Sequence, residues 1–386
     1  MNATPLRILH VVSLVSPSGE YGGPTRVAFN QSQALAEAGH QTMVAAGQRG
    51  FLSVPTTMHG VPVKLFPVRR LLPGTGFAGI CSSGLLRWLR SAARTCDVLH
   101  IHLARDLVSM PAAILARRLN VPYVVQTHGM IDASDKVLAR ILDTVATRRV
   151  LNGAATAFHL TDQERGDLHG VAGANLPFVE LRNGVRPEVL SVPSSRAADP
   201  PIEVLYLARL HERKRPMDFV DAAAALLPDY PKVMFRLVGP DEGEGERVSR
   251  AISQIGSPRL RWDGPMPMEQ TAAAMGRAAV YVLPAVDEPY PMTVLEAMSY
   301  GCPVVVTDSC GLAPLIARSG SGVVTSPGAP AIRAAVKQLL VDPQCRRAMG
   351  QAAQRTADTE LSMTAVTQTL LSAYEGARLG KKGDAE

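Results

Sequence analysis

Aromatic residues make up only 5% of the 386-residue chain, too few to build stacking platforms for single-stranded nucleic acid. No apolar run reaches the ~18–20 residues that span a bilayer. The stretch Ile8–Val15 is short, contains His10 and lacks a small-residue cleavage site, so it reads as a first strand rather than a signal peptide. The five cysteines (Cys81, Cys96, Cys302, Cys310, Cys345) are odd in number and scattered, with no C-x-x-C pair. That excludes a cysteine-framed zinc site or disulfide scaffold and suits a reducing cytoplasm. Missing too are G-x-x-x-x-G-K-[ST], G-x-G-x-x-G after the first strand, H-E-x-x-H and G-x-S-x-G. No two aspartates stand two residues apart, so there is no D-x-D metal clamp. Phosphate, if handled, falls to Lys, Arg and helix N-termini, and the expectation is no cofactor and no metal.

What is present is apolar material: 46% hydrophobic against 19% charged residues. That is enough for two domains of ~150–200 residues. Short β-rich runs alternate with helical patterns throughout, which points to an α/β fold with parallel sheets covered by helices. Strands are expected at Arg7–Leu14, Thr42–Ala46, Asp97–His102, Tyr123–Gln126, Thr156–Leu160 and Phe178–Leu181. The rhythm resumes at Glu203–Ala208, Val233–Val238, Leu260–Trp262, Val280–Leu283, Val304–Thr307 and Gly322–Val324. A Gly/Pro/Ser-rich loop through Gly23 precedes a helix from Pro24 to Gly39, and Thr161-Asp-Gln-Glu164 reads as a capping box. Helices are also expected at Met217–Leu227, Met292–Tyr300, Ala331–Ala357 and Leu361–Leu379. Pro187–Pro201, rich in Pro, Ser and Ala, is the expected linker. The domains are therefore 1–186, a linker 187–201 and 202–360, with 361–386 as a C-terminal helix that is a candidate to pack back on the first domain.

Net charge is +6, but residues 1–190 hold 19 Lys and Arg against 12 Asp and Glu, while the remainder is nearly balanced. An anionic partner for the first half would account for this. Two clusters stand out in the second half. Arg209 and Lys214 follow the strand Glu203–Ala208. Cations at the carboxyl end of a strand can hold an anion, although four basic residues in seven also describe a solvated loop. Glu288 follows Val280–Leu283, and Glu296 sits among Val294, Leu295 and Ala297. Such a carboxylate needs hydroxyl or cationic partners if it is buried. A helix-surface Glu296 and a capping Glu288 are the plainer alternatives.

Arg209-x4-Lys214 followed by Glu288-x7-Glu296 resembles the retaining glycosyltransferases of family 4, the group 1 glycosyltransferases of GT-B architecture. The resemblance spans nearly the whole chain through Gly22-Gly23-Pro24, His100-Ile-His102, Thr127-His128-Gly129, Asn183-Gly184-Val185 and Glu296-Ala-Met-Ser-Tyr-Gly301. It implies two Rossmann-like parallel-sheet domains facing an interdomain cleft, and retaining, metal-independent sugar transfer from a nucleotide-diphosphate sugar. The acceptor would be a glycan or lipid-linked glycan, in cell-surface polysaccharide or glycolipid synthesis. By this resemblance Arg209 and Lys214 grip the donor diphosphate, aided by the amides of Met292 and Thr293 at a helix N-terminus. Glu288 holds hydroxyls of the transferred sugar, Glu296 holds the ribose, and Gly22 and Gly23 allow close backbone approach. His128 touches the sugar near the reacting carbon, while His102 has a structural alternative. Two positions depart from the pattern: Pro291 and Arg215 stand where the family usually has glycine.

Two further readings share the architecture: a nucleotide-sugar 2-epimerase, and a cleft-binding protein without chemistry. Ser82–Arg94 is amphipathic at helical spacing, with Arg87, Arg90 and Arg94 opposite Leu85, Leu86, Trp88 and Leu89. It reads either as a helix packed on the first sheet or as a contact to an anionic membrane. The expected place is the cytoplasm, including the inner face of the membrane, with no nucleic-acid partner.

Overall fold

Runs of Val, Ile and Leu bounded by Gly, Pro and Asp become fully buried parallel strands, because helices cover both faces of such sheets. The computed structural model describes residues 4–17, 22–71, 76–132, 142–173, 176–185 and 202–383. The expected linker 187–201 lies outside the described residues. The chain divides into two units, Met1–Asn183 with Met363–Glu386, and Gly184–Ser362.

The first unit contains β1 (Arg7–Val15), β2 (Gln41–Gln48), β3 (Thr57–Met58), β4 (Val61–Pro67), β5 (Arg69–Arg70), β6 (Ile80–Cys81), β7 (Val98–His102), β8 (Tyr123–Gln126), β9 (Thr156–His159) and β10 (Phe178–Glu180). Its eight-stranded sheet runs β10-β9-β8-β7-β1-β2-β4-β3, and β5 pairs separately with β6. The main sheet is parallel except at β3, which runs antiparallel to β4. All residues of β7, β8 and β9 are buried. The helix Met363–Gly383 packs on this unit, placing Met363, Val366, Leu370 and Tyr374 against Leu6, Ile8, Leu35, Val98 and Phe158.

The second unit holds β11 (Ile202–Leu207), β12 (Val233–Val238), β13 (Leu260–Trp262), β14 (Val280–Leu283), β15 (Val304–Thr307) and β16 (Gly322–Thr325). They form a parallel sheet in the order β13-β12-β11-β14-β15-β16. In each unit the strand order reverses once, at β1/β7 and at β11/β14. Ligands of open α/β sheets bind beyond the carboxyl ends of strands at such switch points.

Three expectations are corrected. β3 to β6 had no expected counterpart: β4 contains Pro62 and alternates buried with exposed residues, so it lacks the apolar run of a central strand. The single helix expected over Ala331–Ala357 is two, Ala329–Val341 and Pro343–Glu360. Pro343 cannot continue a helix, and the Asp342 carboxylate restarts one by accepting from the amides of Gln344 and Cys345, both at 2.9 Å. Gly22 and Gly23 are the first turn of the helix Gly22–Glu37 rather than part of the preceding loop. The amphipathic segment forms the helix Ser83–Ala92, whose Leu85 and Leu89 are fully buried while Trp88 packs on Phe66. Its apolar side is thus spent on the core, leaving arginines for any external surface. No helix among the described residues is long and apolar enough to cross a membrane.

Candidate active site

β11 ends at Leu207, and the chain beyond it is held from several sides. The Tyr206 hydroxyl donates to the Arg209 carbonyl at 3.1 Å, and the Leu210 amide donates to Pro240 at 2.8 Å. Gly239 is required here: its φ is +147°, and a Cβ would lie 2.0 Å from the Ala208 carbonyl oxygen. A short 3-10 turn, Glu212–Lys214, follows, and the His211 ring accepts from the Arg213 amide. Arg215 joins it to the helix Pro216–Leu226 with φ of +51°. That left-handed conformation explains why glycine is usual there; here the Arg215 side chain pairs with Asp218 at 2.8 Å.

The loop after β14 is zipped to this turn. The Val286 amide donates to the Arg213 carbonyl at 2.9 Å, and the Arg213 guanidinium donates to the Asp287 carbonyl at 2.6 Å. The Asp287 amide donates to the Ser309 hydroxyl, and the Glu288 carbonyl accepts from Gly311. With the backbone fixed on both sides, Lys214 Nζ meets Glu288 Oε2 at 2.6 Å, the two side chains being 14% and 16% exposed. Arg213 stands 3.8 Å from the same carboxylate oxygen.

Arg209 is placed differently: its Nη1 contacts both Glu242 carboxylate oxygens, at 2.9 and 2.7 Å, and the pair is largely exposed. The candidate Lys214 and Glu288 therefore meet directly, whereas Arg209 carries a carboxylate of its own. Met292, Thr293 and Glu296, all half-buried, lie on the helix Met292–Ser299. Pro291 precedes it without a side-chain cap, and while the Val294 amide donates to the Pro291 carbonyl at 3.1 Å, the Met292 and Thr293 amides have no partner within the helix. The Tyr281 hydroxyl lies 3.0 Å from the Leu207 carbonyl, which can only accept, and 2.7 Å from the Thr293 hydroxyl. It thus donates to the former, accepts from the latter and ties β11 to the helix start. Burial, with Glu296 and Glu288 contributing, holds its phenol well above the usual range. Burial pushes the nearby Cys310 thiol up to about 12, which removes it as a thiolate nucleophile.

His128, Gly22 and Gly23 belong to the first unit. His128 follows β8 with φ of +54°. It is fixed by a residue the sequence reading treated only as a helix cap: Glu164. The Thr161 hydroxyl accepts from the Glu164 amide at 3.2 Å, as a capping box requires. The Glu164 carboxylate does not close that box. It accepts from the Thr127 hydroxyl at 2.5 Å, the Gly129 amide at 2.6 Å and the Leu160 amide at 2.6 Å, bracketing His128. His128 Nε2 lies 2.8 Å from Nδ1 of His102. Burial lowers the His128 pKa to about 3, so the ring is neutral. A Cβ on Gly23 would meet nothing within 4 Å, so internal packing does not demand glycine there.

Comparison with known proteins adds an independent line. The family described as "Glycosyl transferases group 1" matches residues 191–356, and "Glycosyl transferase 4-like domain" matches residues 22–184. The chain is 27% identical to the D-inositol 3-phosphate glycosyltransferase of Kribbella flavida, covering 97% of this chain and 96% of that one. It is 26% identical to the glycogen synthase of Mycobacterium tuberculosis, over 74% of this chain and 70% of the relative. Among solved structures, Anabaena HepE in complex with UDP aligns with a TM-score of 0.74 at 18% identity, over 96% of this chain and 100% of that one. A glycosyltransferase from Rickettsia africae aligns at 0.76 and 13% identity, over 97% and 99%. These likenesses agree with the two parallel-sheet units and give the fold class as GT-B.

Proposed function

From the premise that this chain belongs to the group 1 glycosyltransferases, we propose that it transfers a sugar from a nucleotide-diphosphate donor to a glycan or lipid-linked glycan, with retention and without a metal ion. The observation that supports this most is the Lys214–Glu288 pair, held at 2.6 Å where the β11 and β14 loops meet. A cation and a hydroxyl-accepting carboxylate side by side match the two ends of the bond to be broken, diphosphate and sugar. Relatives and neighbours point the same way: HepE binds UDP, and the Kribbella relative is a glycosyltransferase.

In this reading Lys214 swings from Glu288 to the donor diphosphate, joined by Arg209 and the amides of Met292 and Thr293. Charge building on the leaving group is thereby neutralised by fixed donors. Glu288, released, accepts from sugar hydroxyls, and Glu296 accepts from the ribose. Gly22 and Gly23 let backbone approach the substrates, and His128 contacts the transferred sugar. The bond from the anomeric carbon to the diphosphate breaks with its electron pair on the diphosphate. The acceptor oxygen bonds to that carbon from the same face, and its proton passes to the departing phosphate oxygen. The arginines of Ser83–Ala92 would bring the enzyme to an anionic membrane on the cytoplasmic side, a contact read by vesicle sedimentation at low salt.

The test has two arms. UDP, GDP, ADP and dTDP are compared by thermal shift in EDTA, where a ligand at 100 times its Kd stabilises by ~2.7 kcal/mol. Lys214→Ala, Glu288→Ala and His128→Ala are then assayed for transfer. A shift with one nucleotide and loss of transfer in all three supports the reading. Full activity in the three variants refutes the site, and donor conversion without any acceptor supports an epimerase instead.

A further inference from the structure

Four histidines of the first unit share one polar row, of which His10, His100 and His102 are buried and His128 is half-buried. His10 on β1 pairs in register with His100 on β7, and His102 lies two residues on, so all three project from one face of the sheet. His102 uses both ring nitrogens: Nε2 is 3.1 Å from His10 Nδ1, and Nδ1 is 2.8 Å from His128 Nε2. The His102 and His128 planes differ by 9°, with centroids 5.1 Å apart. That separation is the nitrogen–nitrogen distance plus the two ring radii, so the rings meet edge to edge and the hydrogen bond lies along the lone pair. His100 stacks over His102 with centroids at 4.6 Å and planes 2° apart, and its Nδ1 is 2.7 Å from the Tyr374 hydroxyl.

His10, His100 and His102 each offer a ring nitrogen within 4.8 Å of the others, a spacing that would suit a metal ion. Their orientation does not. Ligating lone pairs lie in the ring planes, and two parallel stacked rings cannot aim them at one point. Both His102 nitrogens are moreover occupied by its neighbours.

A line of three neutral imidazoles joined by two hydrogen bonds has only two proton arrangements. If protons point inward, the line ends in an N–H at His10 Nε2, which is buried without a partner. If they point outward, His10 Nε2 holds only a lone pair, and the last proton sits on His128 Nδ1. Orphaned buried N–H groups are rarer than under-satisfied acceptors, which favours the outward arrangement. We propose that His10 and His102 are positioning residues that fix His128 as a single neutral tautomer, with Nε2 accepting from His102 and Nδ1 carrying the proton. His128 then presents a hydrogen-bond donor to a ligand oxygen and is neither a base nor a nucleophile. Only this catalytic consequence rests on the transferase reading; the tautomer stands without it. The groups around the row are His100 and His102 on β7, His10 on β1, Tyr374 from the C-terminal helix, the bonded amides Gln31 and Gln126, and Glu164 beside Thr127 and Gly129.

Nitrogen-15 NMR of the histidine rings in the full chain, with His128 assigned by loss of its signals in His128→Gln, reads the tautomer directly. The expected result from pH 5.5 to 8 is a protonated Nδ1 and an unprotonated Nε2 at His128. The reverse tautomer, an average of the two or a titration in that range overturns the proposal. His102→Phe keeps a packed ring and removes both relay bonds. In a folded variant the His128 signals should collapse towards a tautomer mixture, and unchanged signals would refute the relay. Should that variant unfold, the wild-type spectrum alone decides.

Discussion

Glu164→Gln preserves shape and removes one acceptor oxygen. In the wild type one carboxylate oxygen accepts from Thr127 and Gly129 and the other from Leu160. The best placement of the amide keeps its oxygen on Thr127 and Gly129 and turns its NH2 towards the Leu160 amide, donor against donor. Losing a hydrogen bond to a charged group and leaving its buried donor unpaired are one and the same loss, ~1–3 kcal/mol and at the upper end for a charged acceptor, so the substitution should destabilise the first unit by ~2–3 kcal/mol. Urea unfolding followed by hydrogen exchange at the Gly129 and Leu160 amides reads this. Because those bonds hold His128 at its positive φ, sugar transfer should fall on the order of 100-fold, as for a misplaced reacting group. Nucleotide affinity should not move, since the groups proposed to bind the diphosphate lie in the other unit. A variant with unchanged unfolding, or one that loses nucleotide and transfer together, would refute the reasoning.

Removing Glu242 should free Arg209, so Glu242→Ala should tighten nucleotide-diphosphate binding; the exposed pair is worth ~0–1 kcal/mol, a gain of a few-fold at most by calorimetry, and weaker binding would sink the idea. Gly239→Ala should destabilise the second unit by at least ~2 kcal/mol through backbone strain and the clash with Ala208, read as a lower unfolding midpoint; an unchanged midpoint would show that the β12 turn yields. The buried histidines set a pH dependence. Burial lowers His10 and His128 from 6.5 to about 3, so the unfolded chain binds more protons between those values. Their stabilisation is complete above 6.5 and is lost as pH falls, by about 1.4 kcal/mol each at pH 5.5. His128→Gln should reduce that slope by one proton, and an unchanged slope between pH 5 and 6 would mean that His128 does not remain neutral.

The second sheet was nearly all legible in the sequence. Val233–Val238, Leu260–Trp262, Val280–Leu283 and Val304–Thr307 are apolar runs between Gly, Pro and Asp, and the structure ends them at the same residues. The edge of the first sheet was not, since Pro62 and the half-exposed alternation of β4 give a weak signal. Positive φ at Arg215 also left no local trace; it emerged only as a departure from the usual glycine.

Partners across long sequence gaps explain the rest. Lys214 and Glu288 are 74 residues apart and Arg209 and Glu242 are 33 apart, so no periodicity encodes either pair. The members of the first stood out separately in the sequence and took their roles from family resemblance, while the second depends on where the β12 turn returns to β11. Glu164 misled for a different reason. Its local pattern was correct, and Thr161 does cap the helix, but a carboxylate has two oxygens and several lone pairs. Once Leu160, Thr127 and Gly129 offered donors at 2.5–2.6 Å, accepting from them satisfied three donors, whereas closing the box would have satisfied one. The same accounting governs the histidine row. A buried imidazole is costly without a hydrogen-bond partner, and parallel register aligns His10 with His100 across 90 residues of chain. Side chains that a sheet must bury as polar groups are therefore pushed into mutual hydrogen bonds, and the row they form ends at His128, the residue singled out for sugar contact.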